Sequence, residues 1–318
     1  MIEARAVAIY GVGLIGGSVA LALRAAGYRG EIIGYGRREE ELRRAVERGV
    51  IHRYALDAES VAAQAQLHVV CVPVLAMGAV FDALARVVGP DAVMTDVGST
   101  KQSVIAAARQ AFGHLPAGFV PAHPIAGTER TGVAAAFSTL YQDRLAILPP
   151  TAASADAAII EVEQLWQACG ARTIRMDASH HDDVLAATSH LPHMLAFALV
   201  DLLATRPDHD EIFMYAAGGF RDFTRIASSS PVMWRDIALA NREAVTANLD
   251  ALIGRLQALR EAIDQQDAEQ IETGFRRAKQ ARDAAAPGNL RRHRPRHRPA
   301  AGRRQDPAAG GEERQGLR

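Results

Sequence analysis

The feature that most constrains this chain is the stretch from Val7 to Leu23, VAIYGVGLIGGSVALAL. Val7-Ala8-Ile9-Tyr10 is a short apolar run of strand type. Gly11, Gly13 and Gly16 follow it as GxGxxG, and a small-residue apolar helix continues over Ser18 to Ala26. In such a unit the first glycine permits the tight turn and the second lets a pyrophosphate reach the backbone, while the third lets helix and strand pack closely. The helix N-terminus offers free N–H groups and a positive dipole end to phosphate oxygens. Placed between a strand and a helix, the pattern reads as a dinucleotide site. Ala6 to Leu23 carries no charge, so a hydropathy window would also flag a membrane span or signal peptide. Glycines break the run, it lacks a basic n-region, and a soluble-looking α/β pattern follows, so neither is expected.

Glu31 to Tyr35 reads as a second strand. Just past it, where NAD-binding units carry an acid for the ribose hydroxyls, this chain has Gly36-Arg37-Arg38. No carboxylate stands there to repel a 2′-phosphate, and two guanidiniums are available to bind one, which favours NADP over NAD. The plainer alternative is that both arginines open an exposed helix over Glu39–Arg48.

Strand-like runs recur at Leu67–Val74, Ala92–Val97, Gly118–Ala122, Leu145–Leu148 and Arg172–Met176, with helical stretches such as Leu75–Val88 and Lys101–Phe112 between them. This alternation predicts an α/β fold, a doubly wound, mostly parallel, Rossmann-like sheet with helices on both faces. Ligand is then expected beyond the carboxyl ends of the strands, where Pro73, Gly98-Ser99-Thr100-Lys101 and His123-Pro124 lie. From Asp177 the strands stop. His181–Thr205, Asp210–Ala217 and a long segment from Pro231 read as helices, the last with Ser230 as N-cap and proline in its first turn. Val245, Leu249, Leu252, Leu256, Leu259 and Ile263 form a two-per-seven seam, suited to intramolecular core or to packing between subunits.

The expected organisation is a dinucleotide-binding domain over 1–176, a helical substrate and dimerisation domain over 177–286, and a basic, disordered tail over 287–318. The tail is rich in Arg, Pro, Gly and Ala without periodicity. Nine of the 36 basic and three of the 36 acidic residues lie in it, leaving a mildly acidic body of 27 and 33, so nucleic acid is not expected as a partner. The two cysteines, Cys71 and Cys169, are too few for a disulfide framework and favour a reducing, cytoplasmic setting.

Three clusters offer chemistry beside a nicotinamide. Asp96-Val97-Gly98-Ser99-Thr100-Lys101 stands at a strand-to-helix junction, where Ser99 could bond ligand or merely cap the helix. His123, in HPIAGTE, stands at a strand end, and its side chain can take an alcohol proton; the plainer reading of a lone histidine is a structural one. The third cluster joins Ser189-His190-Leu191-Pro192-His193 to GGFRDFTR at 218–225. Arg221 and Arg225, one helical turn apart, point to an anionic, carboxylate-bearing substrate. The plainer reading there is a surface Asp222–Arg225 pair. His180, His181, His190 and His193 show no recognisable metal-ligand pattern, and no metal is expected.

GVGLIGGS at 11–18, DVGSTK at 96–101, HPIAGTERTG at 123–132, SHLPH at 189–193, GGFRDFTRIA at 218–227 and MWRD at 233–236 together resemble the prephenate/arogenate (cyclohexadienyl) dehydrogenase family. The resemblance runs in order from residue 6 to about residue 283. It implies a nucleotide-binding domain, an all-helical domain that interlocks two subunits into a homodimer, and oxidative decarboxylation of a cyclohexadienyl diacid on the way to tyrosine. It further implies that His123 takes the ring-hydroxyl proton, that Ser99 holds that hydroxyl, and that Arg225 binds the ring carboxylate. His193 would line the side-chain pocket. Thr128, Glu129, Arg221 and Asp222 would form a polar gate, with Trp234 nearby. Gly11, Gly13, Leu14, Ile15, Gly16, Arg37, Arg38 and Pro73 would hold NADP or NAD. Gly36-Arg37 departs from an NAD-preferring member, and the tail matches no regulatory domain of the family. A β-hydroxyacid dehydrogenase and a non-catalytic nucleotide-binding dimer are the alternative readings.

Overall fold

A computed structural model describes residue 2 and residues 4–285; the expected tail lies outside the described residues. By contact the chain divides into two compact units, one up to Leu252 and one from Ile253.

The first unit is built on a five-stranded parallel sheet. Its strands are β1 (Ala6–Tyr10), β2 (Glu31–Tyr35), β3 (Arg53–Ala55), β4 (Leu67–Val70) and β5 (Val93–Asp96), in the order β3-β2-β1-β4-β5. Helices α1 (Leu14–Ala25), α2 (Glu39–Glu47), α3 (Ala58–Ala62) and α4 (Met77–Val87) make the crossovers, and α5 (Gln102–Phe112) follows β5. Strand period explains the two-sided core. Val7 and Ile9 join one buried cluster with Leu23, Ile32 and Trp166, while Ala8 and Tyr10 join another with Ile33, Phe81 and Phe119. The strand order reverses between β1 and β4, and the crevice at their carboxyl ends is where such sheets bind ligand.

A smaller sheet holds β6 (His123–Pro124), β7 (Leu145–Leu148) and β8 (Arg172–Arg175), with α6 (Asp156–Ala168) between the last two. β6 pairs antiparallel with β7, His123 opposite Ile147, whereas β7 and β8 run parallel. The strand expected over Gly118–Ala122 is reduced to a single parallel bridge, Met94 to Phe119. Side chains take over the ladder at its end. The Ala122 amide donates to Asp96 Oδ1 at 3.2 Å, and the Lys101 ammonium donates to the Ala122 carbonyl at 2.7 Å.

The helical part opens at α7 (Ala178–Leu185), where Asp177 caps by accepting from the Ser179 and His180 amides. The one helix expected over His181–Thr205 is three pieces: α7, a π-helical turn over Ala186–His190, and α8 (Leu191–Ala204). α9 (His209–Met214), α10 (Gly218–Thr224), α11 (Pro231–Ala240) and α12 (Arg242–Asp264) follow. Ser230 caps α11 as expected, accepting from the Met233 amide at 3.4 Å. Along the predicted seam Val245 is buried, but Leu256 and Ile263 are more than half exposed. The second unit takes the end of α12 and then α13 (Ala268–Ala284), capped by Asp267.

Candidate active site

The glycine turn lies at the crevice. Gly11 has φ +101°, a region that glycine enters at no steric cost, and a Cβ there would meet the Cys71 carbonyl at 2.9 Å. A Cβ on Gly16 would stand 2.3 Å from the Gly11 carbonyl oxygen, so the helix can approach β1 only without one. Gly13 is different, since a Cβ there would meet nothing within 4 Å. Open space therefore faces the first turn of α1, which has no side-chain cap and no acidic residue in its first turn. Its free N–H groups fit a dinucleotide pyrophosphate. Leu14 and Ile15 form that first turn, and the exposed Pro73 leads from β4 into a short 3₁₀ turn at Val74–Ala76.

Arg37 and Arg38 are exposed at the carboxyl end of β2, and Arg38 is the N-cap position of α2. Among the described residues neither guanidinium is in an ion pair. Glu39, Glu40 and Glu41 are taken instead by Arg43 and Arg44. A cavity of about 430 Å³ opens between α2 and the 131–134 turn, lined in part by Arg38, Arg44 and Arg48.

Ser99 lies half-buried in the turn from β5 to α5. That turn is held from beneath by a fully buried ion pair, Lys101 with Asp96, and Asp96 Oδ2 also accepts from the Gly98 amide at 2.7 Å. Burial pushes the Lys101 ammonium down from its usual range, and the Asp96 carboxylate opposes that shift. Because Lys101 and Asp96 also clamp Ala122, they fix the residue before His123 to the same turn.

His123 is buried, and its Nδ1 lies 2.8 Å from His181 Nε2. His181 Nδ1 lies 2.8 Å from Asp182 Oδ1. Asp182 in turn caps α5, its two oxygens accepting from the Lys101 and Gln102 amides at 2.7 and 2.9 Å. Burial, with His181, Lys101 and His190 nearby, holds the His123 imidazole well below its usual range and so in its neutral form. Burial alone would raise the Asp182 carboxyl, but the hydrogen bonds from His181 and the two amides outweigh it and hold the group low.

His190 and His193 stand on either side of the junction between the π turn and α8. The His193 ring stacks on Trp234 at 3.6 Å between centroids, and Nδ1 of His193 bonds the Ser189 carbonyl at 2.9 Å. His190 is fully buried, with its Nδ1 3.2 Å from the Asn241 amide nitrogen, which also donates to the Asp182 carbonyl. Burial depresses His190 to about 4. Among the described residues the Trp234 Nε1 is buried without a hydrogen-bond partner, so a polar nitrogen is left over in this corner.

Arg225 closes the outer side. It donates to Glu129 Oε2 at 3.3 Å, and the Asp222–Arg225 pair that spacing allowed is not formed. Arg225 is also near enough to His193 to disfavour its charged form, after burial. Thr128 Oγ1 accepts from the Arg130 amide, while Arg221 and Asp222 are exposed on α10. Ser99 and His123 are thus tied to one turn through Lys101, Asp96 and Ala122, while Arg225 pairs with Glu129 and lies near His193, which stacks on Trp234. His181, Asp182 and Asn241 belong to the same network but had no part in the sequence-derived site, and His190 entered it only as a member of the SHLPH cluster. The signal available was the pair His181-Asp182 in the first turns of a capped helix, which has meaning only once α7 is known to abut α5.

Two family descriptions match the chain. One, prephenate dehydrogenase, nucleotide-binding domain, covers residues 19–175, and the other, prephenate dehydrogenase, dimerization domain, covers 177–277. A cyclohexadienyl dehydrogenase from Zymomonas mobilis is 39% identical over 279 residues, 87% of this chain and 94% of its own. The chain belongs to the prephenate dehydrogenase family.

A prephenate dehydrogenase from Bacillus subtilis is 37% identical, over 86% of this chain and 74% of its own. Among solved structures, prephenate dehydrogenase from Aquifex aeolicus, in complex with hydroxyphenyl propionate and NAD+, superposes with a TM-score of 0.80 at 35% identity, covering 87% of this chain and 97% of that one. Synechocystis arogenate dehydrogenase gives a TM-score of 0.71 at 27% identity, covering 87% and 99%. As a member of the prephenate dehydrogenase family the chain is a Rossmann-like enzyme with a nicotinamide site and a helical domain of the dimerising type.

Proposed function

We propose that this enzyme oxidatively decarboxylates prephenate, arogenate or both, giving 4-hydroxyphenylpyruvate or tyrosine. The nicotinamide, when bound along Gly11, Gly13, Leu14, Ile15, Gly16 and Pro73, supplies the acceptor for hydride. The observation that carries the reading is His123, a buried, neutral imidazole whose Nδ1 is engaged by His181. Nε2 is then the nitrogen left to take a proton from the ring hydroxyl. Ser99 holds that hydroxyl beside it, on a turn fixed to His123 through Lys101, Asp96 and Ala122.

Arg225 receives the ring carboxylate. Its present partner, Glu129, is half-exposed and solvent-screened, so an incoming carboxylate can replace it at small cost. Thr128, Arg221 and Asp222 complete the polar rim, and His193 stacked on Trp234 forms the wall for the substrate side chain.

The cofactor reading favours NADP. Arg37 and Arg38 stand exposed just past β2 and, among the described residues, free of ion pairs, and the positions directly after the strand, Gly36-Arg37-Arg38, carry no carboxylate. We also infer a homodimer. The helical run Ala178–Ala204 is by length and composition apolar enough to cross a membrane, but only 22% of that window is buried, and Leu202, Met214, Tyr215 and Phe223 are exposed. In a chain with a dimerisation-type domain, a second copy is the natural cover for such a surface. Both cysteines are unpaired, in keeping with a cytoplasmic enzyme.

The test is an absorbance assay at the reduced-nicotinamide band with prephenate and arogenate, each with NAD and with NADP. Turnover in any combination supports the reaction, and the pattern reports substrate and cofactor together. Folded, nucleotide-binding protein that is silent in all four would overturn the reading.

A further inference from the structure

The chain Asp182–His181–His123 runs through buried atoms from a carboxylate to the imidazole assigned as base. The inference drawn from it rests on the proposed reaction only for its kinetic consequence. We propose that His181 and Asp182 are positioning residues that lock His123 in the tautomer with its proton on Nδ1 and a bare Nε2 facing substrate.

Donors and acceptors along this chain fix where the protons sit. An ionised carboxylate can only accept. Asp182 already accepts from the Lys101 and Gln102 amides, and His181 Nδ1, 2.8 Å from Oδ1, must also come to it as an N–H. With one proton on that ring, His181 Nε2 is a lone pair. It lies 2.8 Å from His123 Nδ1, so the His123 proton sits on Nδ1 and points at it. The remaining lone pair of His123 is then on Nε2. A doubly protonated His181 would reverse the last link, placing the His123 proton on Nε2 and leaving no base there.

The chain is also anchored. Asp182 is held at the N-terminus of α5, the helix that follows the Ser99 turn, and the Asn241 side chain donates to its backbone carbonyl at 2.9 Å. The charged and titratable groups around the two rings are Lys101, paired with Asp96, then Asp182 and His190. Among the described residues His181 is the side chain in hydrogen-bond contact with His123, and its removal takes away the group that chooses the tautomer.

The experiment uses the full chain with ¹⁵N-labelled histidine, the His123 signals being assigned by their loss in His123→Asn. In resting wild-type protein, without substrate, His123 is expected to show a protonated Nδ1 and an unprotonated Nε2. An N–H at Nε2 overturns the proposal whatever the enzyme turns over. Kinetics supply the second readout. His181→Phe keeps the ring shape but has no acceptor, and is expected to lower kcat by about 10²-fold with KM little changed, the cost of a misoriented catalytic group. His181→Gln returns an acceptor oxygen near the Nε2 position and is expected to recover most of that loss. Equal losses in the two variants would overturn the proposal. A wild-type protein silent toward every substrate would instead count against the proposed reaction and leave the NMR result standing.

Discussion

Arg225 makes its ion pair with Glu129, 96 residues away in sequence, and not with Asp222, three residues away on the same helical turn. That choice ties the loop after His123 to the residue that follows α10. Both side chains are too exposed for the pair to matter much to stability, about 1 kcal/mol at most. Arg225→Ala is therefore expected to leave the urea midpoint unchanged while weakening substrate binding by about 2 kcal/mol or more. Steady-state KM and a denaturation curve on the same preparation check both halves. An unchanged KM would remove Arg225 from substrate binding.

His123→Asn keeps a polar side chain of similar reach but removes the proposed base. Turnover is expected to fall by about two to four orders of magnitude, with nucleotide affinity retained. Near-normal kcat with undiminished protein stability would mean that another group takes the proton.

The neutral histidines make stability depend on pH. Burial lowers His68 and His190 to about 4, and holds His123 well below 6.5. Above about 6.5 folded and unfolded chains both carry these rings neutral, and no penalty arises. Below it the unfolded chain binds protons that the folded chain refuses, so stability falls as pH drops from 6.5 toward 4. Each ring contributes up to about 1.4 kcal/mol per pH unit in that window. Urea midpoints measured across it should decline steadily toward acid. A flat profile would show that these rings accept protons without unfolding.

Lys101 and Asp96 are both fully buried, so each depends on the other. Lys101→Met should cost about 3–5 kcal/mol by leaving Asp96 uncompensated. Adding Asp96→Asn should recover part of the loss, since the neutral amide needs no counter-charge. Chemical denaturation of the single and double variants measures the difference. A double variant no better than the single would show that Asp96 matters mainly through its bonds to Gly98 and Ala122.

For cofactor choice, the double substitution Arg37→Ala and Arg38→Ala is expected to raise KM for NADP by at least about tenfold, one charge-assisted contact at 1.4 kcal/mol or more, and to leave NAD little affected. Parallel titrations with the two cofactors separate this from a general weakening, which would mark both arginines as mere helix-start residues.

Much of this molecule could be read from the chain because the signals were local. The glycine turn, the strand period of β1 and β2 and the Ser230 cap each depend on residues within a few positions of one another. The positions of Ser99 and His123 near strand ends, where α/β sheets carry ligand sites, could be read for the same reason. What escaped depends on contacts across long separations. The ladder at Ala122 is replaced by Asp96 and Lys101, so a run that looks like a strand becomes one bridge. The π turn at 186–190 leaves no pattern distinct from an ordinary helix. His181 had the look of a stray imidazole, because His123 lies 58 residues away and the start of α5, which the neighbouring Asp182 caps, lies 80 or 81 residues from Asp182.

The two family descriptions meet between residues 175 and 177, yet the hydrogen bonds around the base cross that seam. Asp182 and His181 come from one side, and Lys101, Gln102 and His123 from the other. The halves are therefore not interchangeable parts. A chimera joining the first half of this chain to the helical half of a relative would inherit a nucleotide site intact. On the role proposed for His181 and Asp182, the tautomer of His123 would then be set by whatever residues the donor presents at positions 181 and 182. Grafting between members of the family should succeed or fail on those two side chains before any residue that meets the substrate is considered.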